Sequence, residues 1–215
     1  MQAHALTSVL TAPSYNHSTP TFPFLTLLVS GGHTLLLYAS SRTKFRQLAT
    51  TADESVGRAF DKVTRDLGLS WEGRGPGAAL EKFCEGVSGN DANMGDNFPP
   101  LPPFPVPFPK KLAFSYSGLH SAVDRYLLAA QQVLSLPADA ASIARPGTNL
   151  PHHIRLGLAR AFQTAAVKQL EEKVVLALKW CKERETQPSA SDSVGMVKHV
   201  VVSGGVASNM FLRKR

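Results

Sequence analysis

The chain has 215 residues, 43% of them hydrophobic, with a net charge of +7 and a pI near 9.6. That is enough apolar material for one domain with a real core, and it excludes disordered and collagen-like classes. The two cysteines, Cys84 and Cys181, are far apart, which argues against a disulfide framework or a Cys-rich zinc site and reads as two reduced, buried thiols. No apolar window reaches the ~18 residues that a transmembrane helix needs. Residues 1–6 carry neither a basic n-region nor an Arg/Ser-rich transit character. The positive balance fits a polyanionic partner, RNA, DNA or a nucleotide ahead of a membrane surface, although a generically basic protein has the same figure.

In chain order, residues 3–10 read as the tail of a helix and residues 11–23 as a Ser/Thr/Pro-rich loop. Residues 24–29 form a strand with apolar residues on both faces, hence central in a sheet. It stops at Ser30-Gly31-Gly32, and residues 34–40 return as a second strand of a hairpin, with 45–49 as a third. Val56, Phe60, Val63 and Leu67 recur at helical spacing, and Gly68 stands where a C′ glycine belongs. Gly73 to Gly77 is a turn ahead of a helix over 78–86, and 87–97 is loop-like. Seven prolines in 98–109 exclude a helix or a central strand and leave an extended surface segment, a rigid connector or a proline-recognition ligand. A helix follows to about 134, then a polar loop over 135–149. Residues 153–182 form the longest helix, whose expected core face is Leu156, Ala159, Phe162, Ala166, Leu170, Val174 and Leu178. A linker over 187–194 leads to a last strand over 197–202. Strands at both ends with helices between them give an α/β domain with an interrupted sheet.

The candidate chemistry sits at glycine turns. Ser30-Gly31-Gly32 and Ser203-Gly204-Gly205 both follow apolar runs. Such turns bring backbone N–H groups and a hydroxyl to an anion, or are ordinary tight turns. Asp61 lies beside Phe60 on a helix dense in charge, and is either the edge of the wet face or an acceptor for ribose hydroxyls. Gly75-Pro76-Gly77 into a helix is an anion or ribose site or a plain connection. Ser208 or Asn209 either caps the helix that follows or meets a base or ribose. His4 alone is no metal site; a second ligand would stand one helical turn away.

Five ordered motifs resemble one family: Phe22-Pro23-Phe24 with Leu28-Val29-Ser30-Gly31-Gly32-His33-Thr34, Asp53 through Lys62, Pro76-Gly77 with Leu80-Glu81-Lys82, Phe114-Ser115-Tyr116-Ser117-Gly118-Leu119, and Ser203 through Asn209. They resemble the TsaD/Gcp family of tRNA threonylcarbamoyladenosine synthases, and the form of residues 67–84 resembles its mitochondrial, fungal-like branch. The resemblance implies an α/β, actin-like ATPase (ASKHA) fold, mainly its second lobe with inserted helices. Its expected segments are 1–23 as helix end and loop, 24–50 as phosphate-hairpin strands, 51–186 as a helical insertion with the Pro-rich loop 98–109, and 197–215 as strand and nucleotide turn.

The implied activity is transfer of threonylcarbamoyl from threonylcarbamoyl-AMP to N6 of the adenosine next to the anticodon. Leu28, Val29, Ser30, Gly31 and Gly32 would contact the substrate near its phosphate, Asp61 its ribose or threonyl end, Gly77 and Glu81 the ribose, and Asn209 the adenine side. His4 matches the second histidine of the family's metal motif, for iron or zinc. Partners would be tRNA, the adenylate and, as an option, a second copy in a homodimer, with no membrane; the branch points to a mitochondrial location. Two of the three expected metal ligands and the N-terminal lobe are not found in the 215 residues, so the chain is expected to be partial and not to transfer threonylcarbamoyl by itself. A non-catalytic lobe that binds nucleotide or partner is the other class. A sugar- or acetate-kinase relative fits the motifs less well, and a metalloprotease lacks a complete zinc motif.

Overall fold

β1 (Phe24–Val29) is buried along its whole length, as an apolar run with no polar face requires. The computed structural model describes residues 6, 9, 19–71, 73, 75–86, 98–133, 145–186 and 196–215. The expected helix over 3–10 apart from residues 6 and 9, including His4, and most of the loops over 11–23, 87–97, 135–149 and 187–194 lie outside the described residues. β2 (Thr34–Ala39) pairs antiparallel with β1, and β3 (Phe45–Thr50) antiparallel with β2. β4 (Val200–Ser203) pairs parallel with β1, giving the order β3-β2-β1-β4. The central place expected for the first strand is therefore observed. β4 starts three residues later than expected and lies at the sheet edge, with Val200 and Val202 exposed.

Helices α1 (Val56–Asp66), α2 (Pro76–Glu85), α3 (Ser117–Val133) and α4 (His152–Thr186) pack against the sheet and one another. Leu25, Leu27 and Val29 share one cluster with Phe60, Leu80, Leu127 and Phe162. The Phe60 and Phe162 rings meet edge to face at 5.3 Å. α1 ends as anticipated, with Gly68 left-handed at φ 65°. α2 starts two residues earlier than expected because Pro76, whose fixed φ suits the first helical position, opens it. A single-turn 3₁₀ helix (Gly205–Ser208) and a short α5 (Met210–Arg213) close the chain.

The core face of α4 departs from expectation at its C-terminal half. Leu178 is 39% exposed, while Ala177 and Cys181 are buried. At about 100° per residue, Ala177 falls back within about 20° of Leu170, and Leu178 lies about 80° away. Burial pushes the thiols up, Cys84 to about 12 and Cys181 to about 11. Neither is poised as a nucleophile.

Two polar fastenings tie parts of the helical insertion to one another. Lys173, fully buried, donates from Nζ to Pro107 O (3.2 Å), Phe108 O (2.8 Å) and Glu172 Oε2 (2.7 Å), tying α4 to the end of the Pro-rich segment. Asp53 accepts from Ser115 Oγ (2.5 Å), Ser117 Oγ (2.6 Å) and the Tyr116 (2.9 Å) and Glu54 (2.6 Å) N–H groups. It thereby joins the β3–α1 loop to the start of α3.

Burial alone would raise the Asp53 carboxyl, but these hydrogen bonds outweigh it and hold it at about 2. A depressed folded-state value stabilises the fold above about pH 4, and that contribution is lost as pH falls toward 2. Asp53→Asn should therefore cost about 1 kcal/mol at pH 7, a modest figure because the group is exposed and screened. Thermal melts from pH 7 to pH 2 should show the gap between variant and parent closing in acid.

Candidate functional site

Both serine–glycine–glycine turns emerge at one end of the sheet, because β1 and β4 run parallel. Gly204, at φ 103°, lies so close to β1 that an added Cβ would stand 2.2 Å from Val29 O. Gly57, in the first turn of α1, is equally pressed: a Cβ there would meet Ser30 O at 2.6 Å and Gly31 N at 2.7 Å. Ser55 caps α1 and donates from Oγ to Gly31 O (2.6 Å), while Thr34 Oγ1 accepts from Val56 N–H (2.8 Å). The hairpin turn and the helix start thus form one unit.

Against this unit lies a cleft of about 410 Å³. The N-terminal ends of α1 and α2 meet it at Gly57 and at Gly75-Pro76-Gly77, and neither helix has an acidic residue in its first turn. The positive ends of both helix dipoles therefore meet the cleft, with Ser55 capping α1 and the Asp61 carboxylate on the Gly77 N–H of α2. Phe60 supplies an apolar wall, and Gly205, Val206, Ser208 and Asn209 close the far side.

Of the nine residues expected to bind substrate, Gly31, Asp61, Gly77, Glu81 and Asn209 line this cleft. Leu28 and Val29 are buried inside β1, and Ser30 and Gly32 stand outside the lining. Ser30 Oγ accepts from the Gly32 (3.3 Å) and His33 (3.0 Å) N–H groups, so it orders the hairpin turn itself. His4 lies outside the described residues.

The polar groups of the cleft are already partly engaged. Asp61 accepts a hydrogen bond from the Gly77 N–H, which links α1 to the start of α2. Burial raises its carboxyl above the ordinary value, and Arg65 and that N–H act in the opposite direction. Glu81 Oε1 accepts from the Met210 N–H and from the Phe211 N–H (3.3 Å). Asn209, buried, caps α5 by accepting from Leu212 N–H at 2.9 Å. Its Oδ1 is committed to the helix, so the group it can offer a ligand is the Nδ2 donor. Ser208 does not cap; its Oγ donates to Gly205 O (2.7 Å).

Among the described residues one His/carboxylate group has metal-compatible spacing. The ligand atoms of Asp66, His120 and Asp124 lie within 4.8 Å of one another, with His120 Nε2 at 2.9 Å from Asp66 Oδ2. It occupies the seam between α1 and α3 and does not line the cleft.

Sequence reasoning singled out neither Gly57 nor Ser55 and Thr34 as the parts that fix the hairpin to α1. The available signal was Gly57 itself: glycine in a helix costs about 1 kcal/mol relative to alanine, so its presence marks a close approach.

With this geometry in place, comparison with known proteins is decisive about kinship. The family described as "TsaD: tRNA N6-adenosine threonylcarbamoyltransferase" matches residues 1–215. The chain belongs to this family. A probable mitochondrial tRNA N6-adenosine threonylcarbamoyltransferase of Arabidopsis thaliana is 37% identical over 215 residues, all of this chain and 39% of that protein. A tRNA N6-adenosine threonylcarbamoyltransferase of Bartonella bacilliformis is 37% identical over 99% of this chain and 49% of its own length. The Schizosaccharomyces pombe mitochondrial enzyme is 32% identical over 100% of this chain and 43% of its length. The chain thus spans under half the length of these relatives. The family has the actin-like ATPase fold, and the mixed sheet with its helices is consistent with part of it. No helix among the described residues is long and apolar enough to cross a membrane.

Gly57→Ala should drive the α1 start and the hairpin turn apart, since the clashing atoms are backbone on both sides. A loss of about 1–3 kcal/mol is expected, the usual range for overpacking. Urea denaturation midpoints of parent and variant measure it.

Proposed function

We propose that the cleft binds the adenylate portion of threonylcarbamoyl-AMP and that the whole protein transfers its threonylcarbamoyl group to N6 of an adenosine in tRNA. The observation that carries this reading is the convergence of two helix N-termini and five motif residues on one cleft. A phosphate finds positive dipole ends and glycine backbone there. Ribose hydroxyls find carboxylate acceptors in Asp61 and in Glu81 Oε2, and the base finds Phe60, Val206 and the Asn209 donor.

In the transfer, the adenosine amine forms a bond to the carbamoyl carbon and gives up one proton to solvent, the bond from that carbon to the phosphate oxygen breaks, and AMP departs with the electron pair of that bond and its negative charge. The residues of this cleft hold the leaving group, and the helix N-termini stabilise the charge it gains. A divalent metal, iron or zinc, would be held through His4 in this reading and would polarise the carbamoyl group. The described lining of the cleft offers the carboxylates of Asp61 and Glu81 and neither histidine nor cysteine, so no step is derived through the metal. The tRNA, the adenylate and a second copy of the chain are the partners in this reading, and the mitochondrial names of two relatives support a mitochondrial location.

Calorimetry with a non-hydrolysable threonylcarbamoyl-adenylate analogue tests the binding half. The 215-residue chain should bind it, and Asp61→Asn should weaken binding about tenfold, the effect of losing one charge-assisted hydrogen bond. No binding by the folded chain overturns the adenylate reading and favours a non-catalytic partner-binding lobe.

The acceptor form of Asp61 is the carboxylate, and its raised value means that it protonates at higher pH than an ordinary aspartate. Affinity should therefore fall as pH drops from neutral toward 4, and Asp61→Asn should flatten that dependence.

A further inference from the structure

Trp71 is a large aromatic side chain left 39% exposed, in the loop that leads from α1 toward α2. Its side chain helps wall two separate surface clefts. One, of about 300 Å³, places it with Lys82, Phe83 and His152; the other, of about 240 Å³, places it with Arg65 and Arg145. Arg65, Lys82 and Arg145 are exposed, and no aspartate or glutamate is among the described residues lining either cleft. An indole between two grooves with cations beside each is the chemistry of a stacking platform for unpaired bases. The ring takes a base face and the cations take the phosphates on either side.

The platform is also placed to share a strand with the main cleft. α2 turns Ala78 and Glu81 toward the adenylate cleft and Ala79 and Lys82 toward the Trp71 cleft. One helix, about 10 Å across, separates them, a distance of about three base steps at 3.4 Å each.

We infer that Trp71, with Arg65, Arg145 and Lys82, is a docking platform for single-stranded RNA, stacking an unpaired base a few nucleotides from the one presented to the main cleft. The inference rests on the RNA-substrate reading above for the identity of the polymer, and on the exposed indole and its cations for the site.

The chain has two tryptophans, Trp71 and Trp180, so Trp180→Phe leaves Trp71 as the single indole reporter. An RNA hairpin with an unpaired adenosine-containing loop should quench its fluorescence, and a fully paired RNA duplex should not. Trp71→Ala should weaken hairpin binding by about 5- to 100-fold, the usual range for one lost stacking contact. Trp71→Phe, which keeps an aromatic face, should stay within about threefold. The salt dependence of binding should stay the same in Trp71→Ala and fall in the Arg65→Ala, Arg145→Ala double variant.

Equal hairpin affinity in parent and Trp71→Ala overturns the inference. So does a duplex that quenches as strongly as the hairpin, or the absence of quenching by either. The adenylate analogue separates the two readings. If it binds and RNA leaves Trp71 unquenched, the platform fails alone; if RNA quenches and the analogue does not bind, the adenylate reading fails and the platform stands.

Discussion

Three backbones meet at the C-terminal end of β1, and the rest of the molecule is arranged around that meeting. β4 presses Gly204 onto Val29, and α1 presses Gly57 onto Ser30 and Gly31. Neither approach has room for a Cβ. Each glycine loses more chain entropy on folding than alanine would, by roughly 0.5–1 kcal/mol. What that secures is a site whose floor is main chain. A ligand can lie against peptide groups there instead of against side chains that must first be ordered. The register of β4 on β1, the direction of α1 and the position of the hairpin turn are fixed together by these contacts. Ser55 and Thr34 add hydrogen bonds that hold the hairpin to the start of α1.

The polar groups around this floor serve fold and ligand at once. Glu81 satisfies N–H groups at the start of α5 with one carboxylate oxygen, and Asn209 caps the same helix with its amide oxygen. A four-residue helix cannot hold itself together in water, because nucleation is unfavourable at that length. Its position depends on these two side chains, and their orientation depends on it. Asp61 and the Gly77 N–H stand in the same relation between α1 and α2. A group oriented by a structural bond does not have to be ordered again when a ligand arrives, which lowers the entropic cost of binding. It also means that one lone pair or donor of each group is spent before the ligand comes, so recognition rests on the remaining one.

Much of this was legible in the sequence where a local rule and a global one agree. The uninterrupted apolar run of residues 24–29 announced a central strand, and the Ser-Gly-Gly motifs announced turns at the ends of two strands. Gly68 marked a helix end because only a left-handed residue fits there. The misses share a cause. On a helix of 35 residues the apolar stripe drifts around the axis, so a fixed i+4 reading carried Leu178 onto the core when Ala177 belonged there. The buried lysine, Lys173, gives no sign of two of its partners, because they are backbone carbonyls of a segment more than 60 residues away. Ser30 looked like a ligand for phosphate, but local geometry allowed its hydroxyl a nearer use within its own turn. Spacing identifies which residues can meet an anion; it does not tell which of their atoms are already taken.

α2 gains particular weight from this distinction. Its first turn and Glu81 line the main cleft, while Ala79, Lys82 and Phe83 belong to the surface beside Trp71. A helix moves as a unit, so anything that shifts α2 by contact on one side alters the geometry on the other. The Gly77–Asp61 bond at its start and the Glu81–α5 bonds in its middle resist such a shift. In the proposed reading, a polymer along one face and a small anionic ligand at the N-terminal end of the same helix would share one rigid element, and the helix would set the separation between them.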